Sequence, residues 1–497
     1  MVGYDTRHFS KEIGEIITRV LNGNGFKVLR NIADEPSPTP VNSLLTYVLG
    51  CVGSLNITAS HNPADQNGIK PNNEKGHLDS DDDLEIFLNF IENLYSDGKG
   101  SGNILIAPLD ENVERLDFTE VYLSKFIDVM MNEGFLNINL INQAIKKGWG
   151  FVIDGIGGTG GAIMDRILCH LFGESWKKSI LIINGNYDPN MLGIPKPDPT
   201  IPEVMEKSGL LHTIAENHNI TAGGTGDNDW DRFTSAIKID KEDIPKAKKA
   251  GLYVPKRISP PLAQFTADQM YTLFGEYQLR RTAQDRYYEL TGQKIDLYSN
   301  LIDNAIKSKQ IDLSDCCIIT TYPSSILSDY LSKYYGARLI YTSVGFKNIG
   351  NTVSGELEKE IEKDKTRKII YILGKEESGG NGFGFPKGAI EGPDGKPWLG
   401  AKDKDTSLNV LKLMEISAYA FLKKKNIVDL YSEMLDRLGV ITFYERVDWY
   451  TKNEKKEKSD IVKSKIAFEI DNLEKPENAA KIAQLLGDEL ADGENGK

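Results

Sequence analysis

Cysteine is scarce in this chain and none of it is spaced for pairing. The four cysteines, Cys51, Cys169, Cys316 and Cys317, include no C-x-x-C, which excludes the common zinc and dithiol redox patterns. Cys316 and Cys317 open an apolar run, where buried reduced thiols are expected. Long apolar stretches are missing as well: Val41–Ile57 is interrupted by Asn42, Ser43, Gly50, Gly53 and Asn56. The N-terminus carries no basic-then-apolar leader, so the chain reads as cytoplasmic, with no membrane partner. Positive charge is in deficit, with a net charge of −13. General affinity for nucleic acid or an anionic membrane needs a basic patch, so neither partner is expected. That balance still permits a local cationic pocket for a phosphorylated small molecule.

What the chain does contain is ordinary for a folded protein: 26% charged and 40% hydrophobic residues. At roughly 150 residues per domain, 497 residues suggest about three domains. The pattern alternates strands and helices, the α/β signature. Met1–Arg7 (MVGYDTR) reads as the end of a strand. Ser10 then caps a helix to about Leu21, with Ile13, Ile16, Ile17 and Val20 on one face. A strand follows over Lys27–Asn31, and a helix over Val41–Val52. The run Asp79–Asp83 (DSDDD) precedes the periodic segment Leu84–Tyr95. Carboxylates at a helix N-terminus are favoured by its dipole, which is preferred here to a calcium site. Helices over Phe118–Met131 and Leu136–Lys146 close the first unit.

The segment Ile57–Lys70 (ITASHNPADQNGIK) sets a hydroxyl (Ser60), an imidazole (His61) and an ammonium (Lys70) in one turn-rich stretch. Asn62-Pro63 and Asn67-Gly68 are turn formers. The strand-like Leu55–Thr58 delivers Ser60 into a loop, a common place for chemistry. The alternative is a plain Asx/Pro turn.

Gly150–Asp154 (GFVID) is a strand followed by GIGGTGG (155–161) and a helix from Ala162 to about Phe172. The glycines fit G-x-G-x-x-G, yet the next strand, Ile180–Asn184, ends in Asn-Gly where a dinucleotide fold places an acidic ribose partner. A tight strand-to-helix turn is the better reading. Pro195–Pro202 is a stiff loop. The strand Ile220–Gly226 runs into DNDWDR (227–232), where Asp227, Asp229 and Asp231 alternate and Arg232 follows. Hard oxygen donors of this kind suit Mg²⁺. An EF-hand is excluded by Arg232 and Lys238 at the sixth and twelfth positions. The remaining alternative is a solvated acidic turn, against which its place at a strand's carboxyl end speaks.

Leu252–Pro261 reads as a linker and Thr266–Lys309 as helical. A third unit follows, with a strand at Cys316–Thr320, a helix at Ser324–Tyr335, and strands at Arg338–Thr342 and Lys368–Leu373. It carries Gly345-Phe346-Lys347 and the loop GKEESGG (374–380). Glutamates and a serine on a glycine-hinged loop can accept hydrogen bonds from sugar hydroxyls; an exposed turn is the alternative. Lys402–Asp405 precedes a helix at Ser407–Phe421. KNEKKEK (452–458) is a charged run, Pro476–Leu486 one more helix, and Asp488–Lys497 a polar tail.

The segments GYDTR (3–7), TASHNPADQNGIK (58–70), DGIGGTGG (154–161), DNDWDR (227–232), GFK (345–347) and GKEESGG (374–380), in that order, resemble the α-D-phosphohexomutases, the phosphoglucomutase branch in particular. The resemblance implies three consecutive mixed or parallel α/β domains around a central cleft: 1–146, 147–258 and 259–438. It also implies that 439–497 is a charged linker and tail before a missing or vestigial fourth domain. The family's N-terminal segment has no counterpart before Met1, and its Arg-x-Ser-Gly-Thr phosphate loop none after Asp436.

By the resemblance Ser60 is a phosphoserine, and Asp227, Asp229 and Asp231 hold Mg²⁺ against it. A phosphoserine carries about −1.5 to −2 charge, so a metal and cations must neutralise it. Arg232 and His61 are the expected donors to it. Lys70 is the expected acid/base, with a pKa lowered by burial among cations. Arg7, Lys347, Glu376, Ser378 and Lys404 are the expected substrate contacts. The implied activity interconverts glucose 1-phosphate and glucose 6-phosphate through glucose 1,6-bisphosphate, in a monomer or weak homodimer. Mannose and pentose phosphates are the alternative substrates, and a non-catalytic sugar-phosphate binder the alternative class.

Overall fold

Short strands, the central ones buried on both faces, and the helices that pack on them fix the architecture. A computed structural model describes residues 1–78, 85–86, 88–89, 92–93 and 104–440. The acidic run at 79–83, most of the helix expected at 84–95, and the segments read at 452–458, 476–486 and 488–497 lie outside the described residues. Among the described residues no helix is long and apolar enough to cross a membrane.

Among the described residues, three sheets of three or more strands carry the fold beside two two-stranded ones. The first pairs Val2–Tyr4 in parallel with Gly53–Ile57, and the latter antiparallel with Ile69–Asn73. Ile69 and Lys70 were expected at the end of the turn-rich stretch Ile57–Lys70. Instead Ile57 faces Ile69 across a hairpin, so the segment holding Ser60 is a loop closed at its base by the Thr58 N–H donating to Gly68 O. Ser10 does not cap the first helix, Ser10–Gly23: Phe9 holds that position, and the Ser10 hydroxyl donates to Asp5 at 2.9 Å. Ile16 on the expected apolar face is exposed, while Gly14 and Thr18 turn inward.

The second sheet has the order Leu262–Phe265, Phe233–Lys238, Ile220–Gly226, Gly150–Asp154, Ile180–Ile183. Along Gly150–Asp154 the side chains alternate, Phe151 and Ile153 entering the large core and Val152 a smaller cluster, as the twofold strand period requires. The strand Leu262–Phe265 pairs antiparallel with Phe233–Lys238, so this sheet extends past the boundary drawn at 258. The third sheet runs Arg338–Thr342, Cys316–Thr321, Ile370–Lys375, Asn381–Phe383. The loop 376–380 is therefore the turn of a hairpin.

Two helices tie the units together. Ala267–Thr291, a single helix of 25 residues, starts in a capping box of Thr266 and Gln269 and stops at Gly292 in the left-handed conformation. Its Tyr271 hydroxyl lies 3.1 Å from the Phe233 carbonyl in the second sheet and 2.5 Å from the Gly379 carbonyl on the hairpin turn of the third. Thr406–Leu422, capped by the Asp405 carboxylate, is buried along nearly its whole length. Asp405 also accepts from Tyr122 Oη at 2.7 Å.

The glycine turn 155–161 fits its packing. A Cβ on Gly160 would lie 2.0 Å from the Trp230 ring, and one on Gly161 2.3 Å from Gly185 Cα. Gly160→Ala is expected to destabilise the protein by about 1–3 kcal/mol through overpacking, read as a lower urea midpoint. Gly355→Ala, which opens on free space, is expected to change it by no more than about 0.5 kcal/mol.

Candidate active site

Ser60 sits at the tip of the first hairpin with φ of 55°, a left-handed conformation that a serine adopts only when its surroundings impose it. The imposing group is Arg7. Its guanidinium donates to the carbonyls of Ser60 (2.5 Å), Asn62 (2.7 Å), Pro63 (2.7 Å) and Gln66 (3.0 Å). Asp5 lies 3.3 Å from Arg7 Nε. Arg7 was expected to contact substrate. Both terminal nitrogens are instead spent on the loop, and the side chain is buried.

The loop is pressed against the acidic segment of the second unit. Ser60 Oγ donates to Asp227 Oδ2 at 2.9 Å. The other oxygen of Asp227 accepts the N–H groups of Asp231 and Arg232, both at 3.0 Å. The alternation of DNDWD divides the labour. Asp227, Asp229 and Asp231 face one another, with one oxygen of each within 4.8 Å of the others. Asn228 turns the opposite way, donating to Asp5 at 2.7 Å and accepting from Thr6 at 2.6 Å. Trp230 is fully buried and donates to Ser407 Oγ at 3.1 Å. The intervening residues thus bolt the acidic trio to the first and third units.

All three carboxylates are buried. Burial and the neighbouring carboxylates push Asp227 well above the usual range. Burial opposes ionisation of Asp231 too, but Lys404, Lys70 and Arg232 outweigh it and hold that carboxyl far below its ordinary value. Asp229 Oδ1 and Asp231 Oδ1 are buried and accept no hydrogen bond. Anionic oxygens left without protein donors, beside a third carboxylate, are what a hard divalent cation binds, so the donor set fits Mg²⁺.

Lys70 spans this group, its Nζ 2.7 Å from Asp229 Oδ2 and 2.8 Å from Asp231 Oδ2. The expected lowering of Lys70 is reversed. Burial alone would lower it, but Asp229, Asp231 and Asp227 outweigh burial and raise it. Lys404 adds a second ammonium, 3.0 Å from Asp231 and 3.9 Å from Glu376. Ser378 donates to Glu376 Oε1 at 2.5 Å. His61 Nδ1 lies 3.3 Å from Ser60 Oγ. Arg232 borders the same cavity, which is lined by Thr58–Asn62, Asn67–Lys70, Arg232 and Lys404. Ser60, His61, Lys70, Arg232, Lys404, Glu376 and the three aspartates therefore come together. Lys347, half-buried in the first turn of the helix Phe346–Thr352, is not among the residues lining this cavity.

Asp198 was missed. Its carboxylate stands 3.7–3.8 Å from His61 Nε2, Lys196 Nζ and Arg232 Nη1, and Thr200 fixes its other oxygen at 2.7 Å. The available signal was a carboxylate held between Pro197 and Pro199 in a loop read only as stiff.

The comparisons with known proteins follow this geometry. Family models for phosphoglucomutase/phosphomannomutase alpha/beta/alpha domains I and III match residues 1–95 and 296–438. A phosphoglucomutase of Staphylococcus haemolyticus is 32% identical over 224 residues, 45% of this chain and 37% of that protein. The chain carries domains I and III of the phosphoglucomutase/phosphomannomutase family. A phosphomannomutase of Mycoplasma genitalium is 24% identical over 443 residues, 88% of this chain and 64% of that protein. The chain thus spans less than two thirds of the length of these relatives. The fold is shared with the open form of pp63/parafusin from Paramecium (TM-score 0.57, 18% identity, 88% of this chain and 67% of that one). It is shared also with a phosphoglucomutase/phosphomannomutase family protein of Burkholderia thailandensis (TM-score 0.54, 15% identity, 87% and 70%).

Two outcomes follow. Arg7→Lys removes the planar fork that four carbonyls share, so amide hydrogen exchange of residues 59–67 is expected to speed up while that of 150–154 is unchanged. Burial and the Arg232 charge lower His61 from 6.5 to about 4. Between those values the unfolded chain takes up a proton that the folded one refuses. Stability is therefore expected to fall as pH falls through that window. His61→Asn is expected to make that acid-side loss smaller, read from urea midpoints at several pH values.

Proposed function

We propose that the chain carries the catalytic centre of a phosphohexomutase that interconverts glucose 1-phosphate and glucose 6-phosphate. The observation that supports it most is the 2.9 Å contact between Ser60 Oγ and Asp227, beside two further buried carboxylates with unused oxygens. Ser60, once esterified, gives its phosphoryl group to a bound phosphosugar. The P–O bond to Ser60 Oγ breaks, one to the sugar hydroxyl forms, and the hydroxyl proton ends on Ser60. The bisphosphate turns over and returns its other phosphoryl group to Ser60. Mg²⁺ bound by Asp227, Asp229 and Asp231 supplies neutralisation of the charge on the phosphoryl oxygens.

The rest is positioning and charge stabilisation by the chain itself. Arg7 holds the loop so that Ser60 Oγ points at the acidic centre. Arg232 and His61 are placed to donate to phosphoryl oxygens. Lys70, kept as an ammonium by its two carboxylates, serves as countercharge and, in the return transfer, gives a proton to the departing sugar oxygen and takes the one that Ser60 loses. Lys404, Glu376 and Ser378 form the polar wall proposed to grip the sugar, and Lys347 is proposed as a second cation for its phosphate. Glucose 1,6-bisphosphate is the proposed activator.

Intact mass of the expressed chain, with and without glucose 1,6-bisphosphate, tests this reading. The protein is expected to gain one phosphoryl group, lose it to glucose 1-phosphate, and gain none as Ser60→Ala. A chain that binds the bisphosphate without changing mass is a non-catalytic binder. Running the discharge with mannose 1-phosphate and ribose 1-phosphate ranks the alternative sugars.

A further inference from the structure

Thr39 opens the helix Thr39–Val48 and is buried. Its hydroxyl lies 2.6 Å from Asp229 Oδ2, and its backbone N–H donates to the Asp229 carbonyl at 2.9 Å. A hydroxyl has one proton to give, so its other partner decides where that proton points. That partner is Asn56, whose Nδ2 donates to Thr39 Oγ1. The Asn56 amide cannot turn round at no cost, because its Oδ1 accepts from Asn42 Nδ2 at 2.7 Å. Asn42 Oδ1 in turn accepts from Ser37 Oγ at 2.8 Å. All four side chains are buried. Ser37, Asn42, Asn56 and Thr39 therefore form a one-way row of donors that ends on Asp229.

Asp229 Oδ2 receives two donors, Thr39 and Lys70, while Oδ1 is buried and receives none. Lys70 reaches it from a long flexible side chain that also serves Asp231. Thr39, anchored by its own backbone bond to the same residue, is the rigid partner. We propose that Thr39 is a positioning residue that turns the Asp229 carboxylate so that Oδ1 is the atom presented to a divalent cation. This rests on the reading of Asp227, Asp229 and Asp231 as metal ligands. The physical ground is that a carboxylate held at one oxygen loses the rotation that otherwise spreads its lone pairs over many directions. Partners that orient a ligand in this way typically carry about 10- to 100-fold in metal affinity.

The test is a Mn²⁺ titration of the full, unphosphorylated chain, with free Mn²⁺ followed by electron paramagnetic resonance. Thr39→Val keeps the shape and removes the donor; it is expected to weaken Mn²⁺ binding about 10- to 100-fold. Thr39→Ser restores the hydroxyl and is expected to bind close to wild type. Should Thr39→Val fail to fold, Thr39→Ala against Thr39→Ser carries the same comparison. Wild-type affinity in the Val variant, or a loss in Ser equal to that in Val, overturns the assignment. Asp229→Asn separates the two levels. If wild type and Asp229→Asn alike take up no Mn²⁺, the metal reading fails and the role of Thr39 fails with it. If wild type binds, Asp229→Asn loses binding and Thr39→Val does not, only the role of Thr39 is refuted.

Discussion

Three carboxylates buried within a few ångströms of one another repel, and the structure around them is arranged to make that repulsion tolerable. Lys70 comes from the first unit and Lys404 from the third, so the charge balance is assembled across all three. Ser60 meets the same cluster through its hydroxyl. Burying a carboxylate without a partner is costly, and the low interior dielectric that makes it so also strengthens each ammonium contact. The acidic centre thus constrains how the units pack and gathers the groups of the proposed chemistry in one place.

The alternation of the segment 227–231 explains how one short stretch serves both ends. Three residues face the cluster, and the two between them face away, Asn228 into Asp5 and Thr6 and Trp230 into the glycines and Ser407. Gly379, on the loop that carries Glu376 and Ser378, accepts from the Phe233 N–H and from Tyr271. The acidic segment proposed to bind the metal and the loop proposed to bind the sugar are thereby held in one frame. Phosphoryl transfer asks for little covalent chemistry from a protein and much accurate placement, and a frame of this kind supplies the placement.

Several roles changed between the chain read as text and the folded molecule. Arg7, quoted as part of a motif, is consumed by four loop carbonyls rather than offered to a ligand. Lys70, expected to lose its proton easily, is held charged because its neighbours are carboxylates and not cations. Thr39 and Asp198 carried no motif at all: each acts on a residue far away in the chain, and no local pattern encodes that. The hairpin strand Ile69–Asn73 was hidden because the turn formers before it dominate the local signal.

Apolar periodicity and turn chemistry made the strands ahead of Ser60, Asp227 and the loop 374–380 readable, and the resemblance to a known family singled out Ser60, Asp227, Asp229 and Asp231 among their neighbours. These are properties of neighbours in the chain, and the twofold and 3.6-residue periods make them readable there. Which side chains meet was decided only by tertiary structure. Charge balance, the direction of a hydroxyl proton and the partner of a guanidinium depend on groups far apart in sequence, Thr39 and Asp229 being separated by 190 positions. Their energies come from burial and distance, which exist only once the chain has folded.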